Sequence, residues 1–336
     1  MPPHEDDLEE LLSRPTDAVR AALDELDGDV LVLGAGGKMG PTLARMARRA
    51  LRDGREVIAV SRFSSPAARE SLEHHGVRTI ACDLLDPAAI SRLPDAANVV
   101  FMAGHKFGTH DAPGLTWMTN AVLPAFVAAR YRSSRIVVFS TGCVYGLSTP
   151  ASGGSREEDP LAPPGEYAHS CIARERVFVH HARLTGTPLL LYRLNYAIDL
   201  RYGVLHDIAS QVWRDEPVDV TTGHVNMIWQ GDANARALQS LTHAASPPEV
   251  LNVTGRECIS TRWLAERFAD VFGKRPRVTG TEAPTVWLAN AEKSLRWFGE
   301  PTVSLEEMIG MTADWIRAGG SSLGKPTHFE ARDGRF

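Results

Sequence analysis

Apolar residues fall along this chain in short unbroken runs, spaced by longer stretches in which they recur on one face. Val30–Leu33 is the first run and is apolar throughout, as a strand covered on both faces requires. Runs of the same kind at Glu56–Ser61, Val77–Cys82, Asn98–Met102, Arg135–Phe139 and Leu189–Leu194 predict five further strands. Between them, Thr42–Leu51 puts Leu43, Met46, Ala47 and Ala50 on one helical face, Ala67–His75 reads as a polar helix, and Leu115–Arg130 reads as one long helix. Strands alternating with helices at this spacing predict an α/β protein built on a doubly wound parallel sheet. Helical patterns at Leu205–Asp215, Asp232–His243, Thr261–Phe272 and Leu305–Trp315 predict a smaller C-terminal lobe.

The flanks read differently. Residues 5–27 predict two short helices parted at Pro15, the second capped by Asp17, with Val19, Leu23 and Leu26 on one face. Ala151–Pro164 is rich in Gly, Ser, Pro and acids and reads as a mobile loop or lid. Residues 319–336 read as an extended tail lying on the body or on a partner subunit. The expected division is a helical extension (1–28), a nucleotide-binding domain (29–196), a substrate-binding lobe (197–318) and the tail.

Composition narrows the class. A net charge of −5 argues against a nucleic-acid partner. No apolar run approaches the roughly 20 residues that span a bilayer, so no membrane role is expected. Cys82, Cys143, Cys171 and Cys258 lie far apart with no C-x-x-C pair, and read as reduced thiols of a cytoplasmic protein. His105, His110 and Asp111 match no metal-ligand spacing, so no metal is expected.

The chemistry begins after the first strand. Gly34, Gly37 and Gly40 stand at spacing G-x-x-G-x-x-G between a strand and a helix. Glycine permits the tight turn, and the helix N-terminus offers unpaired N–H groups to a pyrophosphate. At the end of the second strand, where an acidic residue would read the ribose hydroxyls of NAD, the chain has Ser61-Arg62. A guanidinium accepts a 2′-phosphate that a carboxylate would repel, so NADP is preferred over NAD, with Lys38 and Met39 completing the turn.

Further motifs in the expected order give the chain a resemblance to the extended short-chain dehydrogenase/reductases, the superfamily of NAD(P)-dependent sugar epimerases and dehydratases. Asp83-Leu84 resembles the pair that meets the adenine, and Ala103-Gly104-His105-Lys106 the stretch after the fourth strand. Asn120 falls at the family's central-helix asparagine, and Ser140-Thr-Gly-Cys-Val-Tyr-Gly146 at its catalytic segment, with Thr141 at the hydroxyl position. Tyr167 falls at the catalytic tyrosine, and Arg193-Leu-Asn195 resembles the segment whose asparagine lies near nicotinamide and substrate. The resemblance implies a Rossmann-type sheet and a carbohydrate-like substrate. It also implies a homodimer formed through the stretches 115–130 and 167–183. Thr141 would position the reacting oxygen and Tyr167 would carry its proton.

Two departures change the picture. The family's lysine, four residues after the tyrosine, is Cys171 here. An ammonium about 4 Å from a phenolate is worth at most about 4 kcal/mol at an effective dielectric near 20, on the order of three pKa units. Arg174, one further turn along the same face, and Lys106 are the candidate replacements. The second departure is in residues 223–232, where nucleotide-sugar members carry an arginine before the aspartate. Asp232 is present but no arginine precedes it, which favours a smaller sugar, sugar acid or keto-sugar. His105, Cys143, Asn195, His224, Asn226 and Trp229 are the candidate substrate contacts, with Trp229 as an aromatic platform. Gly142-Cys143 stands where dehydratases of this group often have Asp-Glu, which favours epimerase or dehydrogenase chemistry. The alternative reading is a cofactor-binding sensor or scaffold that has lost catalysis with its lysine.

Overall fold

The computed structural model describes residues 4–109, 111–325 and 327–334. Seven parallel strands form one sheet: β1 (Val30–Leu33), β2 (Val57–Ser61), β3 (Arg78–Ala81), β4 (Asn98–Phe101), β5 (Arg135–Thr141), β6 (Leu189–Leu194) and β7 (Glu249–Val253). Their order across the sheet is β7-β6-β5-β4-β1-β2-β3, so the chain reverses direction of travel between β1 and β4. Loops at the C-terminal ends of β1 and β4 separate there and leave a crevice. β1, β4 and nearly all of β5 are buried, as their unbroken apolar runs require. β3, at the sheet edge, is only half covered.

Helices cover both faces of the sheet. One face packs Leu43, Met46 and Ala47 from the Gly40–Ala50 helix with Ala233, Ala237 and Leu238 from the Gln230–Gln239 helix. The other packs Leu123, Val127 and Phe178. A second, separate core gathers Ile208, Val212, Leu264, Phe268, Ile309 and Trp315. The N-terminal helices α1 (Glu5–Leu12) and α2 (Asp17–Asp24) join these bodies. Leu8 and Leu12 enter the second core, and Val19 and Leu23 enter the sheet's core. Glu10 takes a bidentate pair from Arg49, and Glu9 is paired with Arg201 at 2.7 Å.

Three local expectations are corrected, and the tail takes the first of its two expected places. α2 is capped by Thr16, whose hydroxyl accepts from the Val19 N–H; Asp17 is already helical. Residues 115–130 are not one α-helix. Pro113–Trp117 and Leu123–Arg130 are α-helical, and Met118–Val122 between them is a π-helical turn. Pro124 has no N–H to give the carbonyl four residues earlier, that of Asn120, and the turn widens there. The loop 151–164 is not a free lid. Ser155 N–H donates to Leu288, Glu157 accepts from the Asn252 N–H, and the Glu157 carbonyl accepts from Arg193. The tail lies on its own chain: Thr327 donates its N–H and hydroxyl to Asp207, and Phe329 is buried in the second core.

A buried ion pair ties the sheet to the long helix Glu166–Thr185. Arg193 on β6 donates to both carboxylate oxygens of Glu175, at 2.9 and 2.7 Å. The same carboxylate accepts from Ser140 on β5, and Arg193 also donates to the Tyr145 hydroxyl, itself bonded to Asn252 on β7. Both side chains are about 5% exposed or less, so removing one leaves the other charged, dry and unpaired. Glu175→Ala is expected to lower unfolding stability by about 3–5 kcal/mol, read from the urea midpoint. A loss under about 1 kcal/mol would show the pair to be dispensable.

Candidate active site

Two cavities open side by side at the C-terminal edge of the sheet, with Met102, Gly104 and His105 as their common wall. The first, about 400 Å³, runs from the glycine turn to the ends of β2 and β3. Gly34 and Gly37 form its floor, Ser61 and Arg62 one end, and Asp83 and Leu84 the flank. Its shape follows from bare backbone. Gly34 holds φ +90°, and a Cβ there would stand 2.5 Å from the Ala103 nitrogen. At Gly37 a Cβ would touch only the Gly34 carbonyl, at 3.4 Å, and would otherwise project where a phosphate is expected. The residues present therefore fit a dinucleotide. Gly40 serves packing instead: a Cβ there would lie 2.4 Å from the Ala35 carbonyl oxygen, so glycine lets the helix close on the turn.

The second cavity, about 250 Å³, gathers most of the remaining candidates: Thr141, Tyr167, Cys143, Asn195, Arg174 and Lys106. Thr141 ends β5, and its hydroxyl accepts from the Cys143 N–H. Tyr167 opens the long helix, and its hydroxyl is hydrogen-bonded with the Thr141 side chain and with the Cys171 thiol. Cys171 is fully buried, and burial pushes its thiol up to about 11, so it is a neutral partner to the phenol. Burial likewise drives Tyr167 well above the ordinary phenol range, reinforced by Cys171 and Cys143; the charge of Arg174 and the bond to Thr141 oppose this without reversing it. Burial therefore favours the neutral phenol at Tyr167.

Arg174 is not on the surface. It is 5% exposed, and its guanidinium donates to the Phe139 carbonyl at 2.8 Å and to Asn120 Oδ1 at 2.6 Å. Asn120 lines neither cavity. From the π-helical turn it reaches back to His105, accepting from the His105 N–H and donating to its carbonyl, and it donates to Ser170 Oγ. It thus fixes the loop after β4 and the arginine together, as a positioning residue. Gly104 belongs to this node, because a Cβ there would lie 2.8 Å from the guanidinium.

Of the other predicted contacts, Asn226 lies one step behind the cavity. Its Oδ1 accepts from Asn195 Nδ2 at 2.7 Å while its own amide donates to the Ala289 carbonyl, which orients Asn195. His224 lines neither cavity, and Trp229 is packed in the second core, so the aromatic platform expected there does not form. Asp232 sits in a helix and accepts from Thr302 and Val303. His110 lies outside the described residues. Sequence reasoning missed Tyr196, Tyr202, Lys325 and Thr327. Tyr196 follows Asn195 with φ +43°, a left-handed position rare for an aromatic residue and invisible in the sequence. Lys325 reaches the first cavity and Thr327 the second from the distant tail, where no local pattern marks them.

A parallel sheet with a glycine turn at its reversal point and a Thr-Tyr pair beside it defines a dinucleotide-dependent enzyme of the α/β class. The chain belongs to the NAD dependent epimerase/dehydratase family, whose sequence model matches residues 30–197, half of its length. A search of curated proteins finds no match. Solved structures share the fold at low identity. Pal from Bacillus thuringiensis is 20% identical with a TM-score of 0.73, covering 86% of this chain and 99% of its own. UDP-glucose 4-epimerase of Thermus thermophilus, solved in complex with NAD, is 22% identical with a TM-score of 0.70 over the same shares. UDP-glucuronic acid 4-epimerase of Bacillus cereus, also in complex with NAD, is 19% identical with a TM-score of 0.71, covering 86% of this chain and 98% of its own.

Because the Gly37 position is open, Gly37→Val tests the cradle without crowding the fold. NADH and NADPH affinity, read by fluorescence titration, is expected to fall by more than about tenfold, with the melting temperature within about 3 °C of wild type. Undiminished binding would remove the glycine turn from the cofactor site.

Proposed function

We propose that the protein is an NAD(P)-dependent epimerase or dehydrogenase acting on a sugar, sugar acid or keto-sugar. The observation that carries this reading is the meeting of Thr141, Tyr167 and Asn195 in a small cavity that shares a wall with the glycine cradle. Gly34, Gly37, Ser61, Arg62, Asp83, Leu84 and Ala103 hold the dinucleotide, and Ser61-Arg62 favours NADP. When bound, the cofactor supplies a hydride donor or acceptor. Thr141 holds the reacting oxygen. Tyr167, kept neutral by burial, gives its proton to a carbonyl oxygen as negative charge develops there. Arg174 supplies part of the missing lysine's effect, since its charge is one of the influences that lower Tyr167. Asn195, oriented by Asn226, and His105 and Cys143 line the substrate's side.

The rival is a sensor that binds cofactor without turning over substrate, favoured by Cys171 and the elevated Tyr167. Tyr167→Phe separates the two. As an enzyme the protein loses turnover by about 10²–10⁴-fold while cofactor affinity changes little. Turnover unaffected by this change would remove Tyr167 from the chemistry. Nucleotide released on denaturing the fresh protein adds a second distinction: retained dinucleotide supports an epimerase cycle, and an empty protein that binds reduced cofactor reversibly supports a dehydrogenase.

The protein is also proposed to be a homodimer. Leu115, Trp117, Met118 and Val122 are exposed along the stretch beside the Glu166–Thr185 helix, an apolar strip suited to a second copy of itself. Light scattering at micromolar concentration is expected to give twice the 36.7 kDa chain mass, and M118E/V122E to give the chain mass alone. A wild-type mass equal to one chain would refute the dimer.

A further inference from the structure

Two residues of the tail reach the active site. Lys325 lines the dinucleotide cavity, and Thr327 lines the cavity that holds Thr141 and Tyr167. Sharp turns flank them, at Gly324 (φ +63°) and His328 (φ +52°). A histidine in the left-handed region is strained, so its neighbours must be held by contacts of their own. Those contacts are present. The Leu323 N–H donates to the Arg201 carbonyl at 3.0 Å. Thr327 gives its N–H and its hydroxyl to one oxygen of Asp207, at 2.8 and 2.5 Å, and Phe329 is buried. Further along, Arg332 donates to the carbonyl and hydroxyl of Thr285. Gly334 packs against the start of the Tyr167 helix, where a Cβ on it would stand 2.4 Å from the Pro164 carbonyl oxygen.

Ahead of Thr327 the chain is open. Residues 321–325 are all exposed, and a Cβ on Gly324 would meet nothing within 4 Å. Lys325 borders the dinucleotide cavity and also a hollow of about 510 Å³ over His206 and Asp207. Among the described residues no ion pair or hydrogen bond engages its ammonium. Asp83 is the one carboxylate among the described residues that line the dinucleotide cavity, and it accepts from the Leu85 N–H. Lys325 thus brings to this cavity the charge opposite to that of a dinucleotide's phosphates.

We propose that the tail is a strap that closes over the bound dinucleotide, with Lys325 binding a phosphate of the cofactor and the Asp207–Thr327 contact as its latch. This rests on the dinucleotide reading above and deepens it. The sheet supplies the floor of the cofactor site. The second body supplies the strap, because Asp207 belongs to the Val204–Trp213 helix of its core. Bound cofactor therefore ties the two bodies together, and it leaves only after the latch opens. Burial pushes the Asp207 carboxyl up while the two bonds from Thr327 hold it down. An open latch deprives that carboxyl of both donors, so the strap recloses.

Stopped-flow fluorescence of NADH and NADPH on the full chain reads both parts. Lys325→Met keeps the apolar stem and is expected to weaken binding by about three- to tenfold, the worth of one charge-assisted contact at an exposed site. A loss confined to NADPH places Lys325 at the 2′-phosphate, and an equal loss for both cofactors places it at the shared pyrophosphate. Either supports the proposal. Lys325→Arg is expected to keep the wild-type affinity. Unchanged affinity for both cofactors in Lys325→Met makes Lys325 a solvated surface charge and overturns the proposal. Asp207→Ala releases the latch and is expected to speed cofactor release by at least about fivefold. A release rate within about twofold of wild type overturns the strap. Should Asp207→Ala not fold, hydrogen exchange on the wild type provides the check. The Leu323 and Thr327 amides are expected to exchange more slowly once cofactor is added, and unchanged exchange overturns the strap. A wild type that binds neither reduced cofactor overturns the dinucleotide reading itself, and the strap with it.

Discussion

The pairing of Glu175 with Arg193 is the constraint on which the site's geometry depends. Glu175 lies two turns along the helix that Tyr167 opens, and Arg193 lies on the strand that runs into Asn195. One buried carboxylate therefore fixes the height of the phenol against the sheet, and through Ser140 it fixes Thr141 as well. Arg193 carries the same constraint outward to Tyr145, and from there to Asn252 on β7. Three strands and one helix are locked at a single depth by groups that water cannot screen.

A second buried cation acts beside it. Arg174 bridges the carbonyl at the end of the β5 core to Asn120, and Asn120 clamps the backbone of His105. The π-helical turn makes this possible, because a regular helix through Pro124 would carry Asn120 round to another face. Four residues after Tyr167 this protein has a thiol, Cys171, that shares a hydrogen bond with the phenol and contributes no charge. The positive charge lining the cavity comes instead from Arg174, Lys38 and Lys106.

The parallel sheet was legible in the sequence because a strand buried on both faces must be apolar at every position, as at Val30–Leu33 and Val137–Phe139. The glycine turn was legible because it stands between a strand and a helix; Thr141, Tyr167 and Asn195 were singled out by the resemblance of their motifs to a known family, not by periodicity or spacing. The π-turn was not legible, since Pro124 announces a disturbance without its form. The burial of Trp229 was not either, because a two-residue strand has too few positions to show which side faces the core. Lys38 could be read as a cofactor-turn charge, but its direction is set by Tyr202, which lies far along the chain and carries no motif. The tail's part in both cavities depends on Asp207 holding Thr327, a contact across 120 residues.

The N-terminal clasp has a consequence for how the molecule is made. Residues 5–24 leave the ribosome long before Arg201 and the Gln230–Gln239 helix on which α2 rests. Until roughly two-thirds of the chain has emerged, Leu8, Leu12, Val19 and Leu23 have only part of the apolar surface they finally cover. The stretch synthesised early is thus among the last to be seated, and its docking registers that both bodies are in place. Growing chains carry an amphipathic segment in search of cover throughout that interval, and it is the part of the molecule most open to chaperones and to mispairing between neighbouring nascent copies.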